Sequence, residues 1–255
     1  MLLLYFLIGG KSGNALVMEK KLTEIGGLPA IIWGTRSPKV CLYIHGQGGN
    51  KEEAVTFFSM ASLYNWQVIS IDLPGHGSRS GEIDSFVPWN IVPELSLVME
   101  FIKSQWKRVA LCGNSIGAWF GMLSFKNEKF ETCLFVSPIL DMKALISNMM
   151  LWADVSEERL EQELFIQTSF GQTLSWDYWK YVLEHPITDW KAPTKILYAE
   201  YDTMTAHNVV ERFVQRFNCQ LTVMEKGEHW FHTPQQISYL REWIGTSLSE
   251  EHLAG

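Results

Sequence analysis

This chain has few cysteines, no cluster of basic residues and no long apolar run, and each shortage removes a class of protein. The four cysteines, Cys41, Cys112, Cys133 and Cys219, all sit in apolar, strand-like runs. Their spacing fits neither a zinc site nor a disulfide scaffold, so buried free thiols in a reducing compartment are expected. Lysine and arginine number 21 against 28 aspartates and glutamates, a formal charge of −7. With no basic patch to neutralise phosphates, nucleic acid is not an expected partner. The apolar stretch Met1 to Ile8 is far too short to span a bilayer. It also lacks the basic n-region and the small-residue cleavage site of a signal peptide. It reads as an upstream extension before Met18 or as an extra edge strand. There are no internal repeats and no low-complexity stretches. A cytoplasmic protein without stable membrane insertion, monomeric or homodimeric, is the expectation.

What is present is globular material. Hydrophobic residues make up 47% and charged residues 19% of 255 positions, a balance that excludes a disordered chain. Eleven tryptophans and fourteen phenylalanines suggest a large core together with aromatic-lined pockets. A chain of this length folds as one large domain or two small ones, and α/β domains of this size commonly run as one.

Patterning along the chain alternates strands with helices. The stretch from Ala15 to Thr23 alternates apolar and polar residues, and Leu28 to Trp33 follows beyond Gly26-Gly27, which reads as an antiparallel hairpin. A continuous apolar strand, Val40 to Ile44, ends in His45-Gly46-Gln47-Gly48-Gly49. Asn50 then has the character of a helix N-cap, with Glu53 three residues on completing a capping box, and the helix should run to about Tyr64. The next strand, Trp66 to Ile71, leads into Asp72-Leu73-Pro74-Gly75-His76-Gly77-Ser78. A helix over about 92–106 precedes the strand Val109 to Cys112. Further strands are expected at Thr132 to Val136, Lys195 to Ala199 and Gln220 to Met224, with helices over 206–217 and 235–248. This order predicts a mainly parallel, eight-stranded α/β sheet covered by helices on both faces. From about 141 to 191 the alternation stops. That segment contains no convincing strand and reads as short helices forming a cap over the carboxyl ends of the strands, where open α/β sheets bind ligands.

The chemistry centres on Gly113-Asn114-Ser115-Ile116-Gly117. A buried strand runs into this G-x-S-x-G pattern, and the apolar residues Ala118 to Leu123 open a helix directly after it. In that context the serine occupies a sharp, strained turn. The glycines at 113 and 117 remove side chains that would collide there. The hydroxyl then stands clear of the sheet at a helix N-terminus, whose dipole favours developing negative charge.

Taken together, His45-Gly46-Gln47-Gly48, Asp72 to Ser78, the Ser115 turn, an acid after a late strand and a histidine after the last strand resemble the α/β-hydrolase family. The resemblance spans about 17–248 and looks most like its monoacylglycerol-lipase and small-carboxylesterase branch. It implies one α/β-hydrolase domain over 17–255, with 141–191 as an inserted helical cap and 1–16 as an N-terminal extension.

The family's chain order is serine, then acid, then histidine, which carries the roles to Ser115, Asp202 and His229. Asp202 follows the strand ending at Ala199, and His229 follows the strand ending at Met224. His229 would take the serine proton while Asp202 orients the imidazole and stabilises its cation. Glu200 and Asp141 are rival acids, and Asp202 has the duller alternative of a helix N-cap. His229 and His232 also form an H-x-x-H pair, although no third ligand with metal spacing is visible. The oxyanion would be held by the backbone N–H of Ile116 and, by resemblance, that of Gln47. His45 and His76 would brace their loops. Among the cap aromatics, most should pack the cap onto the body, while Trp152, Trp176 and Trp179 are candidates for lining an apolar acyl pocket.

The expected function is therefore a cofactor-free, metal-free serine hydrolase acting on small-molecule esters of apolar acyl groups. Thioesterase, peptidase and carbon–carbon bond hydrolase activities share the same triad. A catalytically weak ligand-binding relative is the alternative from another class. A dehalogenase is disfavoured, because its nucleophile is an aspartate where this chain has Ser115.

Overall fold

The computed structural model describes residues 3–8 and 16–253, with side chains for 19–249. Its centre is a nine-stranded sheet. In chain order the strands are β1 (Leu3–Ile8), β2 (Leu16–Ile25), β3 (Leu28–Trp33), β4 (Lys39–Ile44), β5 (Gln67–Ile71), β6 (Arg108–Asn114) and β7 (Cys133–Val136), followed after an interruption by β10 (Thr194–Ala199) and β11 (Gln220–Met224). The spatial order is β1-β2-β3-β5-β4-β6-β7-β10-β11. The three leading strands pair antiparallel, and the six from β5 to β11 run parallel. Eight strands are those legible in the sequence. The ninth, β1, extends the antiparallel edge by pairing Leu3 with Lys21 through Ile8 with Leu16. Between β2 and β3, Gly26 (φ 59°) and Gly27 (φ 83°) both take the left-handed conformation that a two-residue hairpin turn requires.

The inner parallel strands β4, β5, β7 and β10 are buried along their whole length because both faces are covered. Along β4, Val40, Leu42 and Ile44 enter one core while Cys41 and Tyr43 enter the other, following the two-residue period of a strand. One face packs against α1 (Ala54–Ala61) and α8 (Pro234–Leu253), with Phe57, Phe58, Trp243 and Ile244 as its large side chains. The other packs against α2 (Pro88–Gln105), α3 (Ile116–Phe125) and α7 (His207–Phe217). Continuous apolar strands are the expected signature of such two-sided burial.

Several helix boundaries differ from those expected. Asn50 does cap, but its side chain accepts the Glu52 N–H at 3.0 Å, and a tight helical turn over Lys51–Glu53 precedes α1. α2 begins at Pro88, four residues before its apolar repeat suggests, because proline suits a first helical position. The four cysteines form no disulfide with one another, and three of them are buried. Burial raises the Cys41 and Cys112 thiols and pushes Cys219 up to about 11, which leaves them without thiolate character at neutral pH.

The 141–191 segment requires a correction. It holds the short helices α4 (Met142–Trp152), α5 (Glu157–Glu163) and α6 (Trp176–Glu184). Between α5 and α6 it also holds a hairpin of β8 (Phe165–Gln167) and β9 (Thr173–Ser175). Strands of three residues are too short to show alternation in a sequence. Their pairing is instead closed by Thr168, whose hydroxyl donates to the Gln172 carbonyl at 2.7 Å, and by Gly171 at φ 83°.

At the junction of β4, β6 and α3 the backbones approach closely. A Cβ at Gly113 would stand 2.5 Å from Ala118 Cα, and one at Gly117 would overlap the Ile44 carbonyl oxygen. Because these obstacles are backbone atoms, Gly117→Ala should destabilise the protein by about 3 kcal/mol, the upper range for overpacking. Urea unfolding of the variant, followed by tryptophan fluorescence, measures this directly.

Candidate active site

Ser115 lies between β6 and α3 with φ 51° and ψ −120°. This conformation is sparsely populated for any residue with a side chain and is retained where surrounding structure over-determines it. Its N–H donates to the Val136 carbonyl at 3.0 Å, and its own carbonyl accepts from Ile139 at 3.1 Å. The strand–turn–helix context read from the sequence is therefore present, and it leaves the Ser115 side chain half-buried at the carboxyl edge of the sheet.

Two further loops at that edge meet it. Ser115 Oγ stands 2.8 Å from His229 Nε2, and His229 Nδ1 stands 2.8 Å from Asp202 Oδ2. A carboxylate only accepts, so Nδ1 carries the proton and Nε2 is left to accept from the serine hydroxyl. The Asp202 carboxyl is shut off from solvent, whereas the His229 ring is 23% exposed. The second carboxyl oxygen of Asp202 accepts the N–H groups of Met204 at 2.8 Å and Thr205 at 3.1 Å. Thr205 is pinned in turn, its hydroxyl donating to the Pro138 carbonyl at 2.9 Å. The acid and base loops are tied together by Tyr201 N–H donating to the Gly227 carbonyl at 2.8 Å.

The rival acids are engaged elsewhere. Asp141 is the N-cap of α4, accepting the Ala144 N–H at 3.0 Å, and Glu200 accepts the Lys226 N–H at 2.6 Å. His232 Nδ1 faces the Trp230 carbonyl at 2.9 Å and its ring stacks on Trp230. Among the described residues no group of three or more histidine, cysteine or carboxylate side chains is placed to hold a metal ion.

The loop after β4 passes directly over the serine, since a Cβ added at Gly46 would be 3.2 Å from Ser115 Cβ. Within it, Gly48 N–H already donates to His76 Nε2 at 3.0 Å. The Ile116 amide, as a first helical N–H, has no intrahelical acceptor. Two histidines brace this arrangement. His45 Nε2 accepts the Leu73 N–H at 3.0 Å while Nδ1 faces the Gly46 carbonyl at 2.7 Å; His76 faces the Pro74 carbonyl in the same way. Accepting at Nε2 and donating at Nδ1 defines the neutral tautomer in both.

Beneath these loops lies a group that the sequence did not reveal. Asp72, fully buried, accepts Lys51 Nζ and N–H at 2.5 and 2.9 Å and the Ser78 N–H at 2.8 Å. Burial alone would push its carboxyl up, but the Lys51 ammonium and these amides outweigh it and hold it below the usual carboxylate range. Gln172 was also missed. Its Oε1 accepts from Gln47 Nε2 at 3.1 Å, which links the turn of the β8–β9 hairpin to the loop over Ser115. No periodicity marks either pair, because the partners are 21 and 125 positions apart.

The cap tryptophans take different positions. Trp152 ends α4 half-exposed against the edge of Phe170. Trp176 opens α6 with Lys180 over its ring. Trp179 is buried in the main core, and its Nε1 has no hydrogen-bond partner among the described residues. A further aromatic pair, Trp119 and Tyr178, stacks 6.0 Å apart between α3 and α6, fastening the cap to the helix that carries the serine.

With this geometry in hand, residues 41–240 match the sequence model of the alpha/beta hydrolase family. The chain belongs to that family. A serine hydrolase-like protein of Danio rerio is 32% identical over 96 residues, which is 36% of this chain and 28% of that protein. The chain thus spans well under a third of the curated relative that it matches. Among solved structures, Est1E from Butyrivibrio proteoclasticus with ferulic acid bound superposes with a TM-score of 0.74 at 14% identity, covering 91% of this chain and 99% of that one. Alpha/beta hydrolase domain-containing protein 10 from mouse gives 0.71 at 14% identity, over 98% and 99%. A monoacylglycerol lipase from Paleococcus ferrophilus gives 0.63 at 16%, over 88% and 99%. At these identities the structural likeness is one of fold.

The site also has an acid limit. Burial holds the His45 imidazole down to about 4 from an ordinary value of 6.5, outweighing the Gly46 carbonyl that favours its cation. The unfolded chain therefore binds a proton between pH 6.5 and 4 that the folded chain refuses. Stability is full above pH 6.5 and falls as pH drops toward 4. At 1.36 kcal/mol per unit the contribution is about 3 kcal/mol. The difference in unfolding free energy between wild type and His45→Gln, measured by urea titration from pH 7 to pH 4, should shrink by about that amount.

Proposed function

We propose that this protein is a serine hydrolase that cleaves carboxylic esters through an acyl-enzyme on Ser115. The observation that carries the reading is the unbroken relay from Ser115 Oγ through His229 to Asp202, 2.8 Å at each step. A serine hydroxyl is a weak nucleophile unless an adjacent base removes its proton. Here the base is already aligned, its tautomer fixed by a carboxylate that is itself held by two backbone amides.

In the proposed reaction Ser115 Oγ attacks the ester carbonyl carbon as its proton passes to His229 Nε2. The carbonyl oxygen becomes an oxyanion, which accepts from the backbone N–H groups of Gln47 and Ile116. Asp202 stabilises the imidazolium across the same hydrogen bond it makes in the resting state. The tetrahedral centre collapses, the ester C–O bond breaks, and the alcohol leaves with the proton from His229. Water then attacks the acyl-serine, giving its proton to His229. Collapse returns that proton to Ser115 and releases the carboxylic acid.

Aromatic side chains of the cap favour apolar acyl groups, with Trp152 and Trp176 as candidate contacts. The buried position of Trp179 suits support of that surface rather than its lining. Preorganised amides and a relay of this kind together supply several orders of magnitude in rate.

A panel of p-nitrophenyl esters of rising chain length tests the reading. Wild type should show an initial burst of p-nitrophenol followed by steady turnover. Ser115→Ala should lose the burst and lower kcat by about 10⁴-fold or more. Equal turnover by the two proteins would overturn the assignment.

A further inference from the structure

A cavity opens among the helices on the α3 side of the sheet. It has a volume of about 470 Å³ and lies between α3, the start of α4, the end of α6 and α7. None of the residues that form or brace the Ser115 site lines it. Its floor is apolar, built on Trp119, Leu140, Phe213 and Val182, all buried. Its rim is cationic, with Lys143, Arg212 and Arg216 against the single carboxylate of Asp141, which is occupied in capping α4.

The charge is placed against local preference. The chain as a whole carries 28 acidic and 21 basic residues, yet three cations gather on this rim. Lys143 stands in the first turn of α4, where the helix dipole disfavours a positive charge. Arg212 and Arg216 are four apart on α7, and like charges at that spacing repel. Neither Lys143 nor Arg212 has an ion-pair or hydrogen-bond partner among the described residues. Arg216 uses one of its five donors on the Thr188 carbonyl at 3.0 Å, and its guanidinium lies over the Phe217 ring. An apolar floor rimmed by three cations and a single, already engaged carboxylate is complementary to one kind of small molecule.

We propose that this cavity binds an amphipathic monocarboxylate, with its apolar body on Trp119 and Phe213 and its carboxylate between Arg212 and Lys143. The volume suits a medium-length chain or one ring system. Guanidinium supplies the planar, two-donor geometry that a carboxylate accepts, and Arg216 adds donors from the next turn of α7. The site stands independently of the Ser115 relay, so binding and hydrolysis are separable.

The test is fluorescence titration with the anionic dye 8-anilinonaphthalene-1-sulfonate on Ser115→Ala protein, followed by displacement with decanoate. The same titration is made on a Lys143→Gln, Arg212→Gln double variant; neither side chain has an ion-pair or hydrogen-bond partner among the described residues, so the variant should fold normally. Dye binding to one site, displacement by decanoate but not by decanol, and a weakening of about tenfold or more in the variant are expected for loss of charge-assisted contacts. Absence of saturable binding would overturn the proposal. Equal affinity in the variant would overturn it too, by showing adsorption to apolar surface alone. In wild-type protein, loss of dye binding after fluorophosphonate treatment would place the dye in the Ser115 cleft and contradict the proposal, whereas retention supports it.

Discussion

The backbone conformation of Ser115 is the constraint on which the rest of the site depends. At φ 51° and ψ −120° it costs about 1–3 kcal/mol relative to an ordinary residue. It is held from both sides, by Val136 and Ile139 through backbone bonds and by the glycines that let α3 approach β4 and β6. With a Cβ at Gly117 the helix would be driven off the Ile44 carbonyl. The serine would leave the sheet edge, and the loop beginning at His45 would lose its place above it. The strain thus aims the hydroxyl, and the close packing that sustains it also brings the backbone at Gly46 against the serine.

Around this turn the supporting groups work through backbone hydrogen bonds rather than contact with any reacting atom. His45 and His76 accept N–H groups from Leu73 and Gly48 across two loops, and both need the neutral tautomer to do so. Asp72 gathers Lys51 and Ser78 beneath them. A buried pair of this type is costly to break, because removing one partner strands the other charge. Asp202 follows the same logic one strand further on, with one oxygen committed to the Met204 and Thr205 amides and the other to His229. Each candidate group is therefore oriented by a second group fixed to the backbone, an arrangement that lowers the reorganisation demanded during a reaction.

How much of this was legible in the sequence depended on distance along the chain. The parallel strands were readable because two-sided burial leaves unbroken apolar runs such as Val40 to Ile44. Ser115, Asp202 and His229 were readable because each directly follows a strand, and parallel strands bring all their carboxyl ends to one edge. Gly113 and Gly117 carried a local steric meaning that the close contacts bear out. The β8–β9 hairpin was not readable, since Phe165–Gln167 and Thr173–Ser175 are too short for a period and rely on Thr168 and Gly171 to close. The Asp72–Lys51 pair and the Gln47–Gln172 bond were hidden for a different reason. They join segments that only the folded sheet makes neighbours. Trp179 showed the limit of reading aromatics as pocket lining, because helical spacing places a tryptophan equally well in a core.

In the proposed function Ser115 is an activated nucleophile rather than a small residue at a tight turn. Intact-mass analysis after exposure to a fluorophosphonate probe tests it most directly, because phosphonylation requires the relay and the amide pair but no knowledge of the natural ester. The expected result is one adduct on wild-type protein, mapped to Ser115, and none on Ser115→Ala. A folded wild-type protein that takes up no probe, or an adduct that persists in the alanine variant, would contradict it.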